Sequence, residues 1–291
     1  MSSDIKRLLY NEDVKFSKGQ KRIAEYIEKN YDKAAFMTAA KLGASVGVSE
    51  STVVRFATSL GYSGYPDFQK ALSELIKTEL TSVQKVEITS EKIGGDVLGG
   101  IFSHDIEMIR RTIEGIDKKA FDAAVEKIYK ARKIYIIGVR SAYSLANFIH
   151  FYFRLFFSDV CLVDTTSTEE VFETIMDIGK DDVLIAISFP RYSSRTVKAA
   201  KFAHFENASV IAITDSVFSP LAKYADSLLV ANSTAASFVD SLVAPMSLCN
   251  ALISAVGLRK KNEVSKTFEK LEKIWDEYGV YEKGGTRDDA E

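Results

Sequence analysis

Two groups of side chains in this chain of 291 residues have types and spacings suited to holding anions. In the first, Ser51, Thr52, Arg55 and Ser59 lie off an apolar stripe of Val53, Phe56, Ala57 and Leu60, on the opposite side of a helix. Hydroxyls at such positions donate to phosphate or lie against base methyls, and an arginine forks onto guanine. Lys21 and Lys41, with Lys15, Lys18, Arg22 and Lys70 around them, supply cations for a phosphate backbone. Ser63, Gly64 and Tyr65 add hydroxyls and an amide. In the second group, Gly138, Arg140, Ser141 and Ser144 follow one apolar run, and Ser188, Arg191 and Ser193 follow another. Asp215 ends a third run. Hydroxyls at a helix start beside a guanidinium make a cradle for a phosphate or carboxylate.

The elements that must position the first group are two short helices. Ala39, Ala40, Leu42 and Val46 mark one apolar face, Gly47-Val48 makes a tight turn, and Ser49 stands where the next helix needs a side-chain cap. Gly61 falls where that helix stops. A helix-turn-helix of this kind enters the major groove with the N-terminal turns of its second helix, where Ser51, Thr52 and Arg55 lie. An ordinary helical hairpin, with hydroxyls that serve only as caps, has the same outline. A preceding helix begins at Ser17, with Ile23, Tyr26 and Ile27 inward. A following one runs from about Pro66 to Leu80, proline being harmless in a first turn.

Residues 1–80 thus read as an all-helical domain and 81–105 as a linker, polar and glycine-containing at its start. Residues 106–291 read as a second domain. There the pattern changes to short β-branched runs at 133–138, 159–163, 182–188, 209–214 and 227–231, with helical stretches at 142–157, 168–177, 194–206 and 218–225. Continuous apolar runs of this length are strands buried on both faces, and alternation with helices demands right-handed crossovers and a parallel sheet. The class is therefore α/β, an all-α helix-turn-helix domain joined to a five-stranded parallel sheet. A long apolar helix from Ser237 to Val256, a charged amphipathic helix from Lys266 to Val280 and a frayed GGTRDDAE tail complete it.

Bulk numbers exclude more than they assert. With 46% hydrophobic and 27% charged residues the chain is of ordinary globular type, and its net charge of −2 advertises no polyanion. Residues 1–80 carry 12 Lys and Arg against 10 Asp and Glu, a slight local excess of +2. Cys161 and Cys249 are the only cysteines and lack metal-ligand spacing, so reduced thiols are expected, without disulfide, metal or cofactor. His104, His150 and His204 are scattered. No run reaches the roughly 18 apolar residues of a membrane span, and no cleavable leader is visible, so a cytoplasmic protein with no membrane partner is expected.

Taken together, VSESTVVRFATSLGYSGYPDF at 48–68 in front of the strand–helix pattern resembles the RpiR-type transcriptional regulators, from about Ser17 to Val256. That resemblance implies a flavodoxin-like sugar isomerase (SIS) domain that tends to dimerise and binds phosphosugars to tune DNA affinity. The family phosphate loop S-x-S-G-x-T aligns Ser188 with its first serine and Ser193 with its threonine. Pro190 and Arg191 replace the second serine and the glycine. In the first loop, G-x-G-x-S, Gly138 matches, Arg140 stands at the second glycine and Ala142 at the serine. The implied partners are a double-stranded DNA operator and a small anionic effector, with a homodimer or homotetramer reading half-sites about 34 Å apart or a multiple of that. Three alternatives stay open. Arg140 and Arg191 would instead pair with Asp164, Asp215 or a partner subunit. The second domain would catalyse a sugar-phosphate isomerase or lyase reaction, with Glu169 or Glu170 as base. Or it would only dimerise the first.

Overall fold

The structure, a computed structural model, describes Leu9 and residues 16–77, 96–164, 167–233 and 239–282. Most of the expected linker, Lys15, residues 237 and 238 and the GGTRDDAE tail lie outside the described residues. Residues 239–242 are described and not helical, so the apolar helix expected from Ser237 starts only at Val243. The described residues form two compact units, divided between His104 and Asp105, with Val239 and Asp240 belonging to the first.

The first unit is helical. Helix α1 (Lys18–Lys29) starts in a capping box: the Ser17 hydroxyl accepts from the Gln20 amide while the Gln20 side chain accepts from the Ser17 amide. A single turn, α2 (Tyr31–Ala34), leads to α3 (Ala39–Val46), capped by Thr38. Helix α4 (Glu50–Ser59) is capped by Ser49 and buries Val53, Phe56 and Ala57. Gly47 at φ 71° and Gly61 at φ 91° take the left-handed turns that a side chain resists. Helix α5 (Tyr65–Lys77) sends Tyr65, Phe68 and Leu72 into the same core. Phe56 sits at its centre, 5.2 Å from the Phe16 ring and 5.6 Å edge-on to Phe68.

One member of the expected α3 stripe is misplaced: Ala40 is exposed, and Gly43 is buried instead. The reason is close approach. A methyl on Gly43 would stand 2.8 Å from the Val48 carbonyl, so the absent side chain lets the turn fold onto α3.

In the second unit α6 (Val97–Gly115, whose first turns belong to the first unit) and α7 (Lys118–Lys130) precede β1 (Ile134–Gly138). Then come α8 (Ser141–Phe153), β2 (Val160–Leu162), α9 (Thr168–Ile175), β3 (Val183–Ile187), α10 (Ser194–Phe205), β4 (Ser209–Thr214), β5 (Ser227–Val230), α11 (Val243–Arg259) and α12 (Lys261–Glu277). The sheet order is β2-β1-β3-β4-β5, every neighbouring pair parallel. Ile134 and Ile136 pack with α7, α8 and α11 on one face, Tyr135 and Ile137 with α9 and α10 on the other. Apolar side chains on both faces are what a covered parallel sheet requires.

A helix expected at 218–225 is absent. Only a 3₁₀ turn at Ala222–Tyr224 stands there, because β4 ends at Thr214 and β5 begins at Ser227. Pro220 and the buried Leu221 pin a short connection instead. Among the described residues no helix is long and apolar enough to cross a membrane.

Candidate functional sites

In the first unit Ser51 and Arg55 are exposed on α4, Thr52 is half-buried, and the stripe behind them is sealed. The Ser49 hydroxyl lies 2.9 Å from both the Ser51 and Thr52 hydroxyls, and Arg55 Nη2 donates to Thr52 Oγ1 at 3.4 Å. The cap and the outward polar side are thus one chain of rotatable donors. A methyl on Gly19 would sit 3.3 Å from Thr52 Cγ2, so the N-termini of α1 and α4 adjoin. Two positive helix ends at one place favour an anion. Lys21 and Lys41 are exposed.

Other residues are committed elsewhere. The half-buried Ser59 donates to the Phe56 carbonyl at 2.7 Å and accepts from Gln20 of α1 at 3.4 Å. The Arg22 guanidinium donates to the Val46 carbonyl at the end of α3. Tyr65 donates to the Met37 carbonyl at 2.8 Å, and burial pushes its phenol up to about 12. The Ser63 amide and hydroxyl both reach Asp67. The expectation that Ser63 and Tyr65 present hydroxyls to phosphate is corrected: those groups close the turn. Gln20 had no signal in sequence beyond its capping box, yet its side chain bridges α1 to α4.

In the second unit the strand order reverses direction between β1 and β3, and Gly138 is in register with Ile187. The loops at 138–144 and 188–194 therefore leave neighbouring strand ends at the switch point, where open parallel sheets bind ligands. Gly138 is buried against α8: a methyl there would meet the Ala142 carbonyl oxygen at 2.4 Å. Arg140, exposed, holds φ 60° and ψ −126°, a conformation suited to glycine. Ser141 and Ser144 are exposed at the first turns of α8. Ser188 is buried and accepts from the Ser193 amide at 3.0 Å, drawing the loop closed, and Ser193 caps α10. Arg191 is exposed.

The acids at these strand ends are taken by tyrosines. Tyr143 donates to Asp164 at 2.9 Å, which raises the phenol's pKa through that hydrogen bond first and burial second. Tyr192 donates to Asp215, which is buried, at 2.8 Å. The alternative in which Arg140 or Arg191 pairs with Asp164 or Asp215 is thereby corrected: among the described residues neither arginine forms an ion pair. A phenol hydroxyl satisfies the carboxylate and leaves the guanidinium charge outward. Glu169 and Glu170 are exposed in the first turn of α9. Cys249 is a free buried thiol, pushed up to about 12 by burial, and Cys161 is free and half-buried.

A helix-turn-helix with an outward polar face, joined to a doubly wound sheet with two exposed arginines at its switch point, defines the class of helix-turn-helix proteins that carry an α/β partner domain. The sequence matches the helix-turn-helix domain of the rpiR family over residues 4–79 and the SIS domain over residues 127–255. It is similar to the HTH-type transcriptional regulator HexR of Escherichia coli, 28% identical over 214 residues that are 72% of this chain and 71% of HexR. Among solved structures it is similar to the sugar isomerase domain of an RpiR transcription factor from Sphaerobacter thermophilus. There identity is 25% and the TM-score 0.56, over 59% of this chain and 96% of that one. It shares its fold with Vibrio vulnificus NanR complexed with ManNAc-6P, at 23% identity and TM-score 0.57, over 93% of this chain and 98% of NanR. The chain belongs to the RpiR family of helix-turn-helix transcriptional regulators that carry a SIS domain.

Proposed function

We propose that the chain reads a double-stranded operator with α4, while the crevice between the ends of β1 and β3 receives a small anionic effector, a sugar phosphate. The observation that carries the first half is the outward Ser51, Thr52 and Arg55 over a sealed Val53, Phe56 and Ala57 stripe. Arg55 contacts a guanine or an adjoining phosphate, Ser51 and Thr52 a base methyl or phosphate, and Lys21 and Lys41 the backbone. Ser59 serves the same face by tying α4 to α1. Arg140 and Arg191 hold the effector's charge. Gly138, Ser141, Ser144, Ser188 and Ser193 provide the close backbone and the hydroxyls, and Asp215 with Tyr192 sets the floor.

The functional unit in this reading is a cytoplasmic homodimer, or a homotetramer built from it. Apolar side chains left at the surface support that assembly. Ile106 and Ile113 of α6 are 65% and 69% exposed, and a groove of about 230 Å³ opens between α6, α7 and α11. Effector acts by binding one arrangement of the two units better than another. The crevice is a receptor and not a catalytic site, with Glu169 and Glu170 placed in the first turn of α9, where their charge suits the helix dipole, and not acting as bases.

Footprinting tests the first half. Arg55→Ala should remove base discrimination worth about 1–3 kcal/mol while the chain stays folded, and an unchanged footprint overturns the assignment. Thermal shift with a panel of phosphosugars, ManNAc-6P among them, tests the second. An effector at a hundred times its Kd adds about 2.7 kcal/mol, and Arg191→Ala should abolish the gain. Turnover of any panel member would refute the receptor reading.

A further inference from the structure

Helix α12 lies beyond both family matches, since the SIS match ends at residue 255. No residue of this helix is buried. Yet Val264, Phe268, Leu271, Trp275 and Tyr278 recur at intervals of four and three, the seam of a two-stranded coiled coil. The Phe268 and Trp275 rings, 6.5 Å apart, lie on that one side, and Tyr278 is 74% exposed. An amphipathic helix keeps such a seam dry only against another surface.

The charges say which surface. Residues 260–268 hold Lys260, Lys261 and Lys266 against Glu263, a net +2. Residues 269–277 hold Glu269, Glu272, Asp276 and Glu277 against Lys270 and Lys273, a net −2. That order is the reverse of what the dipole of a single helix favours, which is acid at the start and base at the end. Laid antiparallel on its own copy, the basic start of each helix runs along the acidic end of the other, and the two dipoles oppose. The arrangement is self-complementary about a two-fold axis, as an isologous dimer contact must be.

We propose that α12 is a self-association arm that pairs antiparallel with α12 of a second copy of this chain. The inference rests on the homodimer reading and specifies one contact within it. The arm continues directly from α11, whose Ala244, Leu248 and Ala251 line the open apolar groove, so one two-fold axis can serve both surfaces. Its root is fixed: Lys260 Nζ stands 4.6 Å from the centre of the Phe157 ring and 5.6 Å from that of Tyr129. At 1.5 Å per residue the arm is about 25 Å long, too short for a stable coiled coil by itself, so it adds to the dimer and does not replace its main contact.

Single cysteines in a Cys161→Ser chain test the geometry, with sedimentation reporting the oligomer in parallel. Leu271→Cys, near the middle, should link to its copy through a short bis-maleimide. Val264→Cys should not, because antiparallel pairing separates its copies by at least about 15 Å along the axis. A sedimenting dimer in which neither position links, or both do, overturns the arm and leaves the dimer reading standing. A monomer overturns both. Charge reversal gives a second readout. Lys261→Glu with Lys266→Glu should weaken dimerisation roughly tenfold at low salt, and adding Glu272→Lys with Glu277→Lys should restore it. In a lone helix the first pair of changes improves the fit to the dipole and leaves association unchanged, which would also overturn the proposal.

Discussion

The two units solve the problem of presenting polar chemistry in opposite ways. In the first, Ser51, Thr52 and Arg55 ride on a helix whose buried residues are Val53, Phe56 and Ala57, so the proposed recognition and the packing use different side chains of α4. In the second, the polar groups stand at strand ends and share atoms with the fold: Ser188 closes its own loop, and Asp215 is buried under Tyr192. Function is separable from stability where it lies on a helix face. It is entangled with stability where it lies at the mouth of a sheet.

Core substitutions test that contrast most severely. Phe56→Ala removes a side chain at 0% exposure from between Phe16 and Phe68 and should cost about 3–5 kcal/mol. DNA binding should vanish while phosphosugar-induced stabilisation of the second unit persists. Loss of both would mean that the units do not fold independently. Gly138→Ala is the mirror image: its methyl meets a backbone carbonyl at 2.4 Å, and the cost should reach about 3 kcal/mol. Effector binding should fail, and the first unit should keep its own unfolding transition in urea.

The same contrast decided what was legible in the sequence. On α4 the 3.6-residue period, the Ser49 cap and the Gly47 and Gly61 stops each carry a local signal, so helix, face and limits are readable together. The strands β1, β3 and β4 are likewise readable, because burial on both faces leaves unbroken apolar runs. The edge strands β2 and β5, only partly buried, are still readable as short apolar runs between polar segments. Non-local contacts were not. Nothing near Gly43 announces the Val48 carbonyl, and the segment at 218–225 looks helical until the spacing of β4 and β5 leaves it no room. At the crevice, the loops were readable from the strand ends. The choice of tyrosine over arginine for Asp164 and Asp215 depends on reach across strands, which no spacing encodes.

A smaller effect should come from the other end of the sheet. Asp182, 1% exposed, accepts a forked pair from Arg132 at 2.9 and 2.7 Å and the Gly179 amide at 2.9 Å. Burial pushes its pKa up, but the Arg132 hydrogen bonds and the Gly179 and Lys133 amides outweigh it and hold the carboxyl below its ordinary value. A depressed folded pKa means stability that is present above the unfolded value near 4 and is lost as pH falls through the folded one. Asp182→Asn should cost about 1.5–3 kcal/mol at pH 7 and flatten the loss between about pH 5 and pH 3. Urea midpoints of the second unit across that range measure it. An equally steep acid loss in the variant assigns the pH dependence to other carboxylates. Phe56→Ala should leave this profile unchanged.

Arg140 offers the smallest change and the sharpest form of the comparison, because its effects on stability and binding should have opposite signs. At φ 60° and ψ −126° a side chain costs about 1–3 kcal/mol, and glycine forfeits about 0.5–1 kcal/mol of chain entropy, so Arg140→Gly should stabilise the second unit by about 1 kcal/mol. The same change deletes a guanidinium that no acid among the described residues engages. Effector affinity should therefore fall as the midpoint rises, whereas Arg55→Ala on the helix face should leave stability within about 0.5 kcal/mol. If Arg140→Gly gains stability and keeps its affinity, the backbone at this turn is strained for some purpose other than holding an anion. If it loses both, the arginine is bonded into the fold, and the crevice is less like a receptor than the α4 face is like a reading head.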